Sequence, residues 1–144
     1  EYFHALQSNP NLAEAHYQLA ALFSAKQDAA SAILHLQKTV QIAPDWFLPI
    51  NNLAWMLATE SDPKLRDGSE ALRLAIHATV VAGRDNPNAS DTLAAAYAET
   101  GQFADAVATA QSAIQNADAS GQTNLAQEIE SRLKLYQTQQ AYRE

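Results

Sequence analysis

Four histidines, His4, His16, His35 and His77, are the residues best suited to metal or proton-transfer chemistry. Two imidazoles on one helix share a metal when they stand four apart, and no pair here has that spacing. His16 falls among apolar residues at helical spacing, which makes it a packed side chain rather than a ligand. Glu128 and Glu130 are two apart and so lie on different faces of a helix, not in the pairing that acid–base hydrolysis needs. There is no Gly-x-Ser-x-Gly, Gly-x-Gly-x-x-Gly or Gly-x-x-x-x-Gly-Lys, hence neither a nucleophile elbow nor a phosphate-cradling loop. Asn88-Ala89-Ser90 has the form of a glycosylation acceptor, but it stands at a helix start and reads as chance. The absence of cysteine removes disulfides and thiolate chemistry. The expectation is a non-enzyme without cofactor or metal. Asp62, Lys64, Arg66 and Asp67 share one loop; mixed sign suggests a solvated loop, with partner docking as the alternative.

Partner classes narrow with composition. The 144 residues carry 9 Lys and Arg against 16 Asp and Glu, a net charge of −7. Phosphate backbones need a clustered basic face, so nucleic acid is not an expected partner. No apolar run approaches the roughly 18–20 residues that span a bilayer, and no signal peptide is visible, so no direct membrane contact is expected of this stretch. The compartment is left open. The chain begins at Glu1 without Met, which suggests a piece of something longer.

With chemistry set aside, the positioning elements carry the information. From Ala13 to Pro44, His16, Leu19, Ala20 and Phe23 recur on one helical face. After the break Lys26-Gln27-Asp28 comes a second run, Ala29, Ala32, Ile33, Leu36 and Val40. Shifted by 34 residues the stretch repeats: Pro10 to Pro44, Leu19 to Leu53, Ala20 to Ala54, Phe23 to Leu57. A fixed period of that length marks a helical repeat array. Gly68, Gly83, Gly101 and Gly121 punctuate the chain where the helical period breaks, and Ala-rich helices fill the rest.

His16-x2-Leu19-Ala20-x2-Phe23, then Ala32-x3-Leu36, then Pro44, resembles the tetratricopeptide repeat (TPR), with His16 for the usual Trp and Ala20 for the usual Gly. The resemblance implies an all-α, right-handed α-solenoid of helix-turn-helix repeats with a C-terminal capping helix. It divides residues 1–144 into a single domain. Residues 1–10 are the tail of an upstream repeat, 11–44 repeat one, 45–86 repeat two, 87–120 repeat three, and 121–144 a capping helix and tail. Asn11 and Asp45 are the expected N-caps, and Pro49 fits a first turn. Repeat two carries an insertion: Leu57 to Ala71 is 14 residues where Phe23 to Ala32 is nine. In repeat three, Ser90-x2-Leu93-Ala94-x2-Tyr97 and Ala106-x3-Ala110 restate the pattern. Ala126, Ile129, Leu133 and Tyr136 form the apolar stripe of the last helix. The phrases NNLAWMLAT, DPKLRDG, DTLAAAYAETGQFADAVATA and AYRE also resemble the C-terminal TPR region of large bacterial proteins, some with a membrane-embedded part similar to a glycosyltransferase.

If Leu19, Ala20 and Phe23 face the partner helix, the opposite stripe of each first helix is free. The resemblance implies that this stripe lines a concave groove holding a peptide or protein segment. The groove candidates are Tyr17, Gln18, Asn51, Asn52, Trp55, Asp91, Thr92 and Glu99, with small Ala21 and Ala95 leaving room. Asn51 and Asn52 offer amide donors and acceptors suited to a peptide backbone, Asn52 at a position where TPRs often carry a ligand-contacting Asn. The cations that clamp a terminal carboxylate in chaperone-binding TPRs are absent from the stripe. The expected function is an interaction scaffold; the alternatives are an oligomerisation module or a regulatory, substrate-presenting domain of a larger bacterial protein such as a membrane glycosyltransferase. Tyr2, Phe3 and Leu6 form an apolar edge through which the chain could self-associate.

Overall fold

Helical periodicity and sparse Gly and Pro make the chain all-α. The computed structural model describes residues 2, 4, 5, 9 and 12–144. Among the described residues from Ala13 on, seven helices follow in order: α1 (Ala13–Ala25), α2 (Ala29–Ile42), α3 (Phe47–Thr59), α4 (Gly68–Ala82), α5 (Pro87–Glu99), α6 (Phe103–Ala119) and α7 (Thr123–Gln137); Tyr2, His4 and Ala5 are also helical. No strand occurs among the described residues. Each helix packs on the next, and α3 also packs on α5, so three helical hairpins stack with α7 laid against the last. Phe3 and Leu6 of the expected self-associating edge lie outside the described residues, as does Asn11, the expected first cap.

Starts and stops have local causes. Asp28 caps α2 by accepting the Ser31 amide at 3.1 Å, and Asp67 caps α4 through the Glu70 amide at 3.1 Å. Asn86 caps α5, with Pro87 in the first turn where a missing N–H costs little. Asp45 does not cap α3; the N-cap is Trp46, which makes no side-chain cap bond. Asp45 is instead 3.2 Å from His77 Nε2, whose N–H also donates to the Pro44 carbonyl at 2.9 Å. This ties the α2–α3 turn to α4. The turns after α5 and α6 use Gly101 and Gly121 at φ 78° and 75°; after α1 the same left-handed position holds Gln27 at φ 60°.

The core forms two apolar clusters. One joins Leu53, Leu57, Leu74 and Ile50, each at most 3% exposed, to Ala71, Ala75 and Ala78; a fully buried Leu or Ile contributes roughly 1.5–3 kcal/mol. In the other, Ala106, Ala110 and Ala113 of α6 meet Ala94 and Ala98 of α5, and Ile129 and Tyr136 of α7 fill the space beside them. Gly68 is not a turn residue: it is the first residue of α4, where a Cβ would stand 3.0 Å from Glu99 Cγ and 3.2 Å from Thr100 Cγ2.

The insertion 60–67 is built around Arg66. Its Nη1 donates to the carbonyls of Glu60 (2.7 Å) and Ser61 (3.1 Å), and its Nε to Glu99 at 3.2 Å. Asp62 accepts the Lys64 amide at 2.9 Å. These loop charges thus hold the loop's own shape. His16 is buried as a packed side chain, its Nδ1 3.0 Å from His35 Nδ1, while Phe23 stacks on the His35 ring.

Candidate functional site

Helix α3 packs on α5, and Tyr17 of α1 reaches Asn52 of α3, so residues of the three helices meet on one face. Three cavities open there, and Trp55 of α3 walls all of them. An apolar pit of about 180 Å³ is lined by Tyr17, Ala20, Ala21, Asn52, Trp55 and Met56, among others. A larger cavity of about 670 Å³ runs from Ser24 and Gln27 past Trp55 to Thr59 and Glu60. The third, about 450 Å³, is polar, with Asn51, Asn52, Asp91, Thr92, Glu128 and Arg132 among its walls.

Tyr17 and Asn52 are joined by a hydrogen bond from the Asn52 amide to the phenol oxygen, 3.3 Å, and Tyr17 packs on Trp46 with centroids 4.8 Å apart. The Asn51 Oδ1 is buried and accepts no hydrogen bond from any described residue. Gln18 donates to Glu14 on its own helix at 2.7 Å, and neither Gln18 nor Glu99 lines these cavities. Asp91 and Thr92 are buried, 7% and 2% exposed. Ala95 is also buried, in the core, and so leaves no open space on this face. Glu99, at the end of α5, bridges Arg66 of the insertion and Arg143.

The polar end of the face depends on α7. Arg132 forks onto Asp91 through Nε at 3.1 Å and Nη2 at 2.7 Å, the bidentate geometry a guanidinium favours with a carboxylate. Burial pushes the Asp91 carboxyl above its ordinary range, and the Arg132 guanidinium pulls against that shift. Beside them the Tyr136 phenol, buried without a hydrogen-bond partner among the described residues, is raised far above the usual tyrosine range by loss of water. The Arg132 guanidinium carbon also lies 5.1 Å from the Trp55 ring centroid and 5.3 Å from that of Tyr142.

Beyond α7 the chain returns over this face. Gln139, at φ 60°, turns it back. The Tyr142 ring meets Trp55 with centroids 5.7 Å apart, the Glu144 amide donates to the Thr59 carbonyl at 2.8 Å, and the Trp55 indole N–H donates to Glu144 Oε2 at 2.6 Å.

No family model matches the sequence, and none of the curated proteins matches it. Solved structures do: the TPR2B domain of yeast Sti1, in its complex with pHsp70, superposes with a TM-score of 0.74 at 21% identity, covering 89% of this chain and 98% of that one. The fold is a TPR fold. Its helix-turn-helix units stack as an all-α, right-handed α-solenoid with α7 at the C-terminal end.

The repeat pattern points to Trp55 but misses Arg132, Tyr142 and Glu144. A signal for Arg132 was present: Ala126, Ile129, Arg132 and Tyr136 are the buried positions of α7, spaced three, three and four. The charge hides the stripe, and Leu133 takes its place in the sequence reading, although Leu133 is only partly buried.

Proposed function

We propose that this chain is a non-catalytic protein-interaction module that holds an extended peptide or protein segment in the groove of its first TPR helices, centred on Trp55. The observation that carries this reading is the position of Trp55, a half-buried indole walling three cavities, the polar one of which is also lined by Asn51, Asn52 and Arg132. Trp, Tyr and Arg dominate binding hot spots because they combine apolar area with a directed polar atom. The yeast neighbour, whose complex is with a protein, is consistent with such a use of the fold. Among the described residues no group of three or more His, Asp or Glu could hold a metal, and no helix is long and apolar enough to cross a membrane.

The test is affinity capture with the intact chain, identification of the bound segment by mass spectrometry, and calorimetric titration of that segment against Asn52→Ala and Trp55→Ala. Loss of about 2 kcal/mol or more in Trp55→Ala, with the fold retained, supports the groove. Unchanged affinity in both variants would move the site elsewhere.

A further inference from the structure

The groove is already occupied by part of its own chain, and the chemistry of that contact describes a ligand. Residues 139–144 are non-helical. Along an extended chain, side chains two apart point the same way. Tyr142 and Glu144 both reach Trp55, one ring against ring and the other carboxylate on indole N–H, while Arg143 between them turns to Glu99. The main chain is held as well: the Glu144 amide donates to the Thr59 carbonyl, one of the last-turn carbonyls that α3 cannot satisfy internally. Arg132, anchored by Asp91, stands within cation–π reach of both aromatic rings. Every group that receives this segment belongs to the folded repeats or to α7: the Thr59 carbonyl, the Trp55 indole, the Arg132 guanidinium and the Glu99 carboxylate.

We propose that the Trp55 groove recognises an extended segment in which an aromatic residue is followed two positions later by a carboxylate, and that Tyr142 and Glu144 are a tethered copy of that ligand which a partner must displace. This rests on the groove reading above and narrows it to one peptide chemistry. A basic residue between the two fits best, since Glu99 receives Arg143. The tether makes the intramolecular contact competitive even if its contacts are few, because a short linker holds its end at an effective concentration on the order of millimolar.

The probe is a synthetic peptide with the sequence of residues 138–144, Thr-Gln-Gln-Ala-Tyr-Arg-Glu, titrated to millimolar concentration. It is compared on the intact chain and on the double variant Tyr142→Ala, Glu144→Ala, followed by NMR at the Trp55 indole N–H. The double variant binds the peptide at least about tenfold tighter than the intact chain, and a control peptide with Ala for Tyr and Glu does not bind. Equal binding to both chains, no binding to either, or equal binding of the control overturns the proposal. If the double variant does not fold, the intact chain decides: nuclear Overhauser contacts between the Trp55 and Tyr142 rings, and a shift of the indole N–H resonance in Glu144→Gln, are expected, and their absence refutes a seated segment. A captured partner that still depends on Trp55 but lacks the aromatic-x-acidic pattern would sink this inference and leave the groove reading standing.

Discussion

Arg132 of α7 and Asp91 of α5 form a buried bidentate ion pair, with side chains 10% and 9% exposed. The pair fixes α7 to α5 and holds the guanidinium beside Trp55. Breaking a buried pair from one side strands the other charge, which costs about 3–5 kcal/mol. Asp91→Ala and Arg132→Ala should each lower stability in urea by about that amount. Asp91→Leu combined with Arg132→Met should recover most of the loss, since apolar replacements of similar volume leave no stranded charge. A double variant no more stable than either single one would show that the pair does more than compensate its own burial.

Tyr136 is 1% exposed and its hydroxyl has no hydrogen-bond partner among the described residues. An unpaired buried hydroxyl has a desolvation cost and gains nothing in return, so Tyr136→Phe should be neutral or stabilising by up to about 1 kcal/mol. It should also change the alkaline limb. The folded phenol titrates well above its ordinary value of 10.0, so its contribution is complete below pH 10 and is lost as pH rises above 10, where the unfolded chain ionises first. Urea midpoints measured from pH 9 upward should fall less steeply in Tyr136→Phe; identical slopes would mean the phenol reaches water.

The His16–His35 contact sets the acid limb at the other end of the stack. With Nδ1 facing Nδ1 at 3.0 Å, one ring must donate and the other accept, and a second proton would bring two donors together. Burial first, then the neighbouring His16 and Lys38, lowers the His35 pKa below its ordinary 6.5. A base depressed in the folded state contributes stability that is present above pH 6.5 and is lost as pH falls through the folded value. His35→Gln, which cannot charge, should flatten the fall in melting temperature between neutral pH and pH 5. A slope unchanged by the substitution would place the acid sensitivity elsewhere.

What the sequence made legible was whatever repeats locally. Leu19, Leu53 and Leu57 announce the helices and their register, and the mismatch between Leu57 and Ala71 announces the insertion, because helical period and repeat length are both short-range. The closing of the groove was not legible. Glu144 meets Trp55 across 89 positions and Arg132 meets Asp91 across 41, through polar atoms that carry no periodic signature. The caps divide the same way. Asp28 and Asp67 cap although the repeat pattern does not single them out, whereas Asp45, the expected cap, is instead 3.2 Å from His77, a tertiary contact that no local rule contains.

The register can be probed directly at Ala32 and Ala106, both fully buried. Ala106 stands in the Ala-lined contact of α6 with α5, where a longer side chain must push the backbones apart. Overpacking of this kind costs about 1–3 kcal/mol. Ala32→Leu and Ala106→Leu should each lower the melting temperature by several degrees, while Ala30→Leu on the exposed side of α2 should not.

Trp55 has two jobs that separate by substitution. Its ring packs on the central core cluster and lines the cavities, and its indole N–H donates to the Glu144 carboxylate at 2.6 Å. Trp55→Phe keeps most of the ring and removes the donor. If the indole N–H selects a carboxylate, as its bond to Glu144 implies, this variant should melt close to the parent yet bind an acidic segment about 10- to 150-fold more weakly, the range expected for a lost hydrogen bond to a charged group, about 1.5–3 kcal/mol. Trp55→Ala removes both functions, and its melting temperature should drop as the three cavities merge. Calorimetric titration beside thermal melting of the two variants separates the roles. Phe and Ala variants that lose stability in step, with affinity per folded molecule unchanged, would make Trp55 a packing residue only and leave the groove without its anchor.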